Sequence, residues 1–270
     1  MVGDLSEILG SIPWQRAISL TFLMLARIGP VVFITPFLGG PRFPATVRTV
    51  VAGVLTLAMW PSVWLVSGDL DGAGGFLMLL VVKEGLVGMI LALMAGILFV
   101  AIEAGGRIID LTRGAQNAQV FTGQSAEPSS PVGALFLLFA IVTFMALGGH
   151  LMVISALHRS YDVIPVAGYP RAAAWAGGAR LAIYVGSEFF LVAVGLAAPV
   201  MATAFILEIS LGLAGRLAPQ MPAYFIGLPL KAWGAILIVF LFLPWMLTWS
   251  KSIFESSINL FLQTMRVFGS

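Results

Sequence analysis

The sequence FLMLLVVKEGLVGMILALMAGILFVAI, residues Phe76 to Ile102, decides the class of this protein. It is apolar over more than the roughly 20 residues that a helix needs to cross a bilayer. Its apolar residues do not alternate with the period of two that is typical of a transmembrane β-strand. The whole chain has the same character, since 60% of its 270 residues are apolar and 10% are charged, with a mean hydropathy of +1.03. The sequence therefore predicts an all-α, multi-span membrane protein.

Six apolar segments are long enough to span a membrane as helices. They are Ala17 to Leu38, Ala45 to Val66, Phe76 to Ile102, Val132 to Leu157, Leu181 to Leu207 and Leu230 to Ser250. Proline removes a backbone donor and clashes with the preceding turn, so we expect kinks or breaks where it lies inside a segment. These prolines are Pro30, Pro36, Pro61, Pro199 and Pro244. We treat residues 1–270 as one integral membrane domain of kinked helices and hairpins.

A polar stretch, EAGGRIIDLTRGAQNAQVFTGQSAEPSSP, follows the quoted run directly, from Glu103 to Pro131. It is longer than the few residues that usually connect two membrane helices. Its glycines free the backbone, and its amides and hydroxyls form hydrogen bonds without carrying charge. We interpret it as a functional loop that lines or closes a path, and the alternative is an ordinary surface loop.

Small residues form a stripe on the quoted apolar run. Gly85, Gly88, Ala92 and Ala95 are spaced three and four apart, which places them on one face of a helix. Such a face lets the backbone of a neighbouring helix come close. The stripe predicts tight helix packing, either within the chain or against another subunit.

Several charged residues lie within or at the ends of the apolar segments. They are Arg27, Lys83, Glu84, Glu188 and Glu208. Each costs about 2.5 to 3.5 kcal/mol at the middle of a bilayer, so partners or water must be near. They could form an ion or proton relay, but pairing of a cation with a glutamate is the interpretation that we favour, because no segment places two carboxylates one turn apart.

Other function classes find no support in the sequence. The net charge of +2 comes from dispersed basic residues and does not indicate a nucleic-acid partner. Without cysteine there is no disulfide or thiolate metal site. His150 and His158 have no carboxylate at metal-ligand spacing, and no nucleotide-binding motif occurs. We therefore predict that the protein has no cofactor, no metal site and no enzymatic activity.

The last residues, from Lys251 to Ser270, predict an amphipathic helix for the membrane surface or for a partner. Phe254, Ile258 and Phe261 are among the apolar residues that share one face of it.

The segment LEISLGLAGR at Leu207 to Arg216, followed by APQMPAYFIGLPLK at Ala218 to Lys231, resembles the SctT/FliR family of export-apparatus proteins. That family serves bacterial type III secretion systems and flagella. Further matches, in the order of the chain, are RIGP at Arg27, KEGLVG at Lys83, EAGGRIID at Glu103, SSPVG at Ser129, GGH at Gly148 and IP at Ile164. The motifs RGAQNA and SSPVG look more like the injectisome branch, SctT, than the flagellar branch, FliR, although the stretch QNAQVFTGQSAEP departs from the expected loop.

This resemblance implies a multi-pass protein of the bacterial inner membrane, present as one copy in a helical hetero-oligomer. The implied partners are SctR-type and SctS-type subunits, a SctU-type switch protein, secreted substrate proteins and membrane lipid, with no nucleic acid. Unfolded substrates are expected to pass through a central conduit, and the polar loop is expected to face its lumen and act as a plug. The predicted plug residues are Arg107, Asp110, Arg113, Gly114, Gln116, Asn117, Gln119, Phe121 and Gln124.

The plug residues have predicted roles of their own. Arg107, Asp110 and Arg113 are expected to hold the base of the loop, and Phe121 to supply its apolar contact. Two rival functions remain open at this point. One is a secondary transporter of small solutes that uses the intramembrane carboxylates, and the other is a membrane scaffold without a pore.

Overall fold

The structure, a computed structural model, describes residues 13–67, 76–115, 130–168, 172–220 and 222–269. Within these ranges all of the regular secondary structure is helical. Five helices there are long and apolar enough to cross a membrane, and two shorter consecutive helices could together supply a sixth. The predicted all-α, multi-span fold is confirmed.

The helices of the described ranges are α1 Trp14–Ile34, α2 Ala45–Val66, α3 Leu77–Thr112, α4 Pro131–Ala146, α5 Gly149–Val163, α6 Ala172–Leu217 and α7 Ala223–Gly269. The chain divides into two compact units. The first comprises Met1–Gly96, Gly148–Ala182 and Ile258–Ser270, and the second comprises Ile97–Leu147 and Ile183–Ser257. Helix α3 therefore contributes its first part to one unit and its second part to the other.

The core of the first unit is built on one face of α1, which packs against α2. Leu20, Leu23, Ile28 and Val31 recur along α1 at helical spacing and are buried. The turn after α1 reverses the chain with Gly40 at a φ of +58°, where its N–H donates to the carbonyl of Val32 at 3.2 Å. Glycine suits this position because it has no Cβ to strain.

The core of the second unit contains a cluster of three phenylalanines from α3, α4 and α7. Phe99, Phe144 and Phe254 have ring centroids 5.1 to 5.2 Å apart. Aromatic rings at such separations add to the stability that burial alone provides. Nearby on α3, a Cβ on Gly105 would lie 3.0 Å from the Cβ of Leu196, so α3 and α6 approach each other closely there.

Helices α6 and α7 form an antiparallel hairpin within the second unit. Going back along α6, residues Gly215, Leu211 and Leu207 lie beside Ala223, Gly227 and Gly234 of α7, in that order. Glycines on α7 thus receive leucine side chains of α6, which brings the two helix axes close together. Much of the hairpin surface is apolar and exposed, as expected for a membrane-embedded element.

The predicted fourth span, Val132 to Leu157, is not an uninterrupted helix. Helix α4 ends at Ala146 and α5 begins at Gly149. Gly148 between them has a φ of +71°, in the left-handed region where glycine is favoured and where helices end. Hydropathy did not mark this break because the residues on both sides of it are apolar.

Four of the prolines do not end their helices. Helices α1, α2, α6 and α7 continue through Pro30, Pro61, Pro199 and Pro244, so the alternative of a break at these positions is wrong. A proline removes one backbone donor, whereas a break in apolar surroundings leaves several backbone groups without partners. Pro36 instead follows the end of α1.

Two predicted polar elements have different bounds in the structure. Helix α3 continues to Thr112, so the predicted loop from Glu103 is helical at its start, where Glu103 and Arg107 form an ion pair one turn apart at 3.0 Å. The predicted helix from Lys251 is the last part of the continuous helix α7. Beyond Phe254 the structure describes the course of this helix but not the side chains that would make it amphipathic.

Candidate functional site

The carboxylate of Asp110 joins the end of α3 to the start of α4. One of its oxygens accepts a hydrogen bond from Nε of Arg113 at 2.7 Å and is paired with the same guanidinium at 2.6 Å. The other oxygen accepts from the hydroxyl of Ser130 at 2.6 Å and from the backbone N–H of Val132 at 2.9 Å. Asp110 is buried. A single carboxylate thus ties together the two ends of the stretch between Gly114 and Ser130.

The same junction is reinforced by a close approach of two helix backbones. A Cβ placed on Gly106 of α3 would lie 2.6 Å from the Cα of Gly133 on α4, so a side chain there would force the helices apart. Ser130 is also the N-cap of α4, because its hydroxyl oxygen accepts from the N–H of Gly133 at 3.1 Å. The base formed by Gly106, Asp110, Arg113, Ser130 and Gly133 is called the Asp110 junction below.

The predicted plug residues are only partly visible in this junction. Asp110 and Arg113 take part in it, and Gly114 ends the helix beside it with a φ of +80°. Arg107 is exposed and pairs with Glu103, not with Asp110. The remaining predicted residues, Gln116, Asn117, Gln119, Phe121 and Gln124, lie outside the described residues.

Sequence reasoning missed the partners that Asp110 finds on α4. Ser130 and Val132 are far from Asp110 along the chain, so no local spacing connects them. A signal for Ser130 was present, since a serine directly before a proline that opens an apolar run is typical of a helix N-cap. The cap could have been predicted, but its contact with Asp110 could not.

A second polar cluster, in the first unit, surrounds Arg27 of α1. Its guanidinium is fully buried and forms a two-pronged ion pair with Glu84 of α3, through Nε and through a terminal nitrogen at 2.9 Å. It also donates to the Ser160 hydroxyl at 3.0 Å and to the Ile164 carbonyl at 2.8 Å. The ring of Tyr161 lies over it, with the ring centroid 4.2 Å from Cζ. Arg27 thus connects α1, α3 and α5.

Lys83 extends this cluster to the turn that follows α5. Its ammonium pairs with Glu84 at 2.8 Å. It also donates to three backbone carbonyls, those of Pro165 at 3.0 Å, Val166 at 2.7 Å and Gly168 at 2.8 Å. The contacts of Arg27, Lys83 and Glu84 favour the interpretation of pairing for these three residues.

The predicted stripe of small residues has one very close contact. A Cβ on Gly88 would overlap the carbonyl of Arg27, so α1 and α3 touch through their backbones at this point. Ala92 is also buried, whereas Gly85 and Ala95 are partly exposed. No atom lies within 4 Å of a Cβ built on Gly85. The close contact within the chain is therefore centred on Gly88.

The two remaining intramembrane glutamates lie on α6. Glu208 pairs with Lys231 of α7 at 2.5 Å, which joins the two arms of the hairpin. Glu188 interacts electrostatically with Tyr184, one turn earlier on the same helix. These two carboxylates thus have different neighbours on separate turns of α6.

The described residues contain no group of three or more histidine, aspartate or glutamate side chains placed to hold a metal ion. His158, one of the two histidines of the chain, forms a hydrogen bond with the Ser62 hydroxyl at 2.7 Å. The contacts of Glu84, Asp110 and Glu208 instead join helices.

The sequence matches a known protein family over most of its length. Residues 18–257 match the family described as bacterial export proteins, family 1. The flagellar biosynthetic protein FliR of Escherichia coli K12 is 29% identical, covering 92% of this chain and 93% of that protein. The surface presentation of antigens protein SpaR of Shigella flexneri is 27% identical, with coverages of 94% and 96%. The Yop proteins translocation protein T of Yersinia pestis is 33% identical, with coverages of 62% and 63%.

The extent of these matches confirms the family expected from the sequence motifs. The five to six apolar helices agree with a protein that crosses the membrane several times. Other components of the export apparatus are its partners. The chain belongs to the FliR/SctT family of bacterial export proteins and is a multi-pass inner-membrane component of the type III export apparatus.

Proposed function

We propose that this chain forms, with SctR-type and SctS-type subunits, the inner-membrane conduit for unfolded substrate proteins, and that its polar segment from Gly114 to Gln124 closes the conduit. The observation that carries this proposal is the Asp110 junction, in which one buried carboxylate holds both ends of that stretch. Such a base would fix where the segment begins and where it returns.

The composition of the segment supports a role in closure. A seal for a protein conduit must stop ions and yet give way to a passing chain, so it should be polar, mostly uncharged and weakly packed. Gln116, Asn117, Gln119 and Gln124 supply amides, and Phe121 supplies one apolar contact. In this proposal the Asp110 junction attaches the segment, and the residues from Gly114 to Gln124 form the seal.

The proposed assembly contains one copy of this chain, several copies of the SctR-type and SctS-type subunits, and a SctU-type switch protein. In this proposal the chain is not an enzyme, and the energy for export comes from elsewhere in the apparatus. The motifs RGAQNA and SSPVG favour an injectisome over a flagellum. Native mass spectrometry of the complex purified through a tag on this chain should show non-identical partners in unequal numbers.

The test of closure is the deletion of residues from Gly114 to Gln124, followed by measurement of ion conductance through the assembled complex in a bilayer. We expect the deletion to let small ions leak while the complex still assembles. Replacing the same residues by glycine and serine in equal number is the matched control, because it restores chain length without the amides and Phe121. Unchanged conductance in the deleted complex would refute the proposal.

The rival function, a secondary transporter, would need a carboxylate free to bind solute or a proton. Glu84 is occupied by Arg27 and Lys83, whereas Glu208 is paired with Lys231 but exposed. A transporter should also be isolated as a single chain or a small symmetric oligomer. The same mass measurement therefore separates the two functions.

A further inference from the structure

The ion pair between Glu208 and Lys231 is unequally covered by the hairpin that carries it. Glu208 lies in the apolar span Gly186–Leu217 of α6, and Lys231 lies in the span Ala223–Met246 of α7. The lysine side chain is 20% exposed, whereas the glutamate side chain is 56% exposed. The lysine contact thus covers one side of the carboxylate and leaves the other side at the surface of the chain.

The carboxylate also has unused capacity for hydrogen bonds. An ionised carboxylate has about four acceptor positions on its two oxygens. In the part of the chain that the structure describes, the hydrogen bond to Glu208 is the one from Lys231 Nζ to Oε1, at 2.5 Å. The exposed side of Glu208 can therefore accept further hydrogen bonds from a neighbour.

The surroundings of that exposed side are apolar. Phe205 and Gly212, one turn before and one turn after Glu208, share its face of α6. Phe205 is 64% exposed, and no atom lies within 4 Å of a Cβ built on Gly212. A charged group on such a surface is unfavourable against lipid tails, and intramembrane charges usually face a protein partner or water. The open glycine beside it leaves room for a helix backbone to come near.

We infer that the face of α6 formed by Phe205, Glu208 and Gly212 binds a transmembrane helix of a different export component, and that this helix presents a hydrogen-bond donor to Glu208. The donor is the cationic side chain of a lysine or arginine of that helix. The proposed site is an interface and is independent of closure by the Gly114 to Gln124 segment.

Two other occupants fit the face less well. A second copy of this chain, related by a two-fold axis, would bring the exposed carboxylate of one copy towards that of the other, because Lys231 is largely covered. An anionic phospholipid headgroup presents a net negative charge, which Glu208 would repel. A donor-bearing helix matches both the charge and the open space.

The test exchanges the two charges within the hairpin. The variants E208K and K231E, and the double variant E208K/K231E, are compared for the yield of the complex with the other export components. The double variant restores an ion pair between α6 and α7 but presents a cation where the wild-type chain presents a carboxylate. We expect both E208K and the double variant to lower the yield at least about tenfold, as for a buried interfacial charge that faces a like charge.

If the pair serves only to hold the hairpin together, the double variant should recover the wild-type yield, and that recovery would overturn the inference. Thermal unfolding of the isolated double variant in detergent should match the wild-type chain within a few degrees, which shows that the hairpin has formed. The yield of complex is the readout here, and it is distinct from the ion conductance that tests closure.

A second measurement uses the wild-type charges. The photoreactive analogue p-benzoylphenylalanine at Phe205 should cross-link, in the purified complex, to a peptide of a non-identical component that contains a donor residue. Phe190, an exposed phenylalanine farther back on α6, is the control position and should give a different adduct. Adducts at Phe205 with lipid or with a second copy of this chain would overturn the inference.

Discussion

Replacing Gly88 by alanine, and separately Gly85 by alanine, tests the contact between α1 and α3 with two positions that are one turn apart on the same helix. A Cβ on Gly88 would overlap the Arg27 carbonyl oxygen and lie 2.9 Å from the Arg27 Cα. Backbone atoms cannot rotate away, so the helices must separate. A Cβ on Gly85 meets no atom within 4 Å.

The magnitude follows from two opposing effects. Glycine to alanine inside a helix stabilises by up to about 1 kcal/mol, and this gain applies to both variants. Overpacking at a rigid contact costs about 1 to 3 kcal/mol, and it applies to G88A only. We expect G85A to leave the free energy of unfolding unchanged or slightly higher, and G88A to lower it. Because the contact at Gly88 is with backbone atoms, the two variants should differ by about 3 kcal/mol, the upper end of the overpacking cost.

The assay is unfolding of the purified chain in detergent micelles, followed by circular dichroism at increasing denaturant. The difference between G88A and G85A cancels the helix-propensity effect and isolates the steric cost. Equal free energies of unfolding for the two variants would refute the reasoning about a backbone contact at Gly88. The larger substitution G88L should in addition lower the yield of the assembled complex, and a normal yield would mean that assembly tolerates the displaced helices.

Three further substitutions address the buried polar groups and the Asp110 junction. E84A leaves the buried cations Arg27 and Lys83 without their carboxylate, so the free energy of unfolding should fall by about 3 to 5 kcal/mol; a loss under 1 kcal/mol would contradict this. D110A should cost at least about 1.5 kcal/mol because two donors and a guanidinium lose their acceptor, whereas R107A, which removes an exposed pair, should cost under about 0.5 kcal/mol. If D110A and R107A lowered the free energy of unfolding equally, the stabilising role of the Asp110 junction would be contradicted. G106A should raise the susceptibility of the α3 to α4 connection to proteolysis, and an unchanged cleavage rate would show that the helices can separate without effect.

The sequence was sufficient to predict the membrane class, because continuous apolar runs such as Phe76 to Ile102 have few alternatives to a membrane helix. The break at Gly148 was not predictable from hydropathy, since both of its flanks are apolar. Helix α3 continues past Glu103 because glycines and charged residues do not end a helix whose backbone hydrogen bonds continue to be satisfied. Polar composition alone therefore does not mark a loop.

The candidate site was predictable only in part for a different reason. The sequence identified Arg27, Lys83 and Glu84 as charges that need partners, because a charge in an apolar segment is costly. It could not identify those partners that lie far away along the chain, such as Ser160 for Arg27. Three of the acceptors of Lys83 are backbone carbonyls, and a carbonyl carries no signature in a sequence.

The bonds of Lys83 to the carbonyls of Pro165, Val166 and Gly168 have a consequence for how this protein tolerates sequence change. Every amino acid supplies the same carbonyl, so a substitution at residue 165 or 168 keeps the acceptor as long as the turn keeps its path. A single substitution at Lys83 removes all three bonds at once. The attachment therefore tolerates substitutions in the turn that supplies the carbonyls. It does not tolerate the loss of Lys83, which is specified by a single codon.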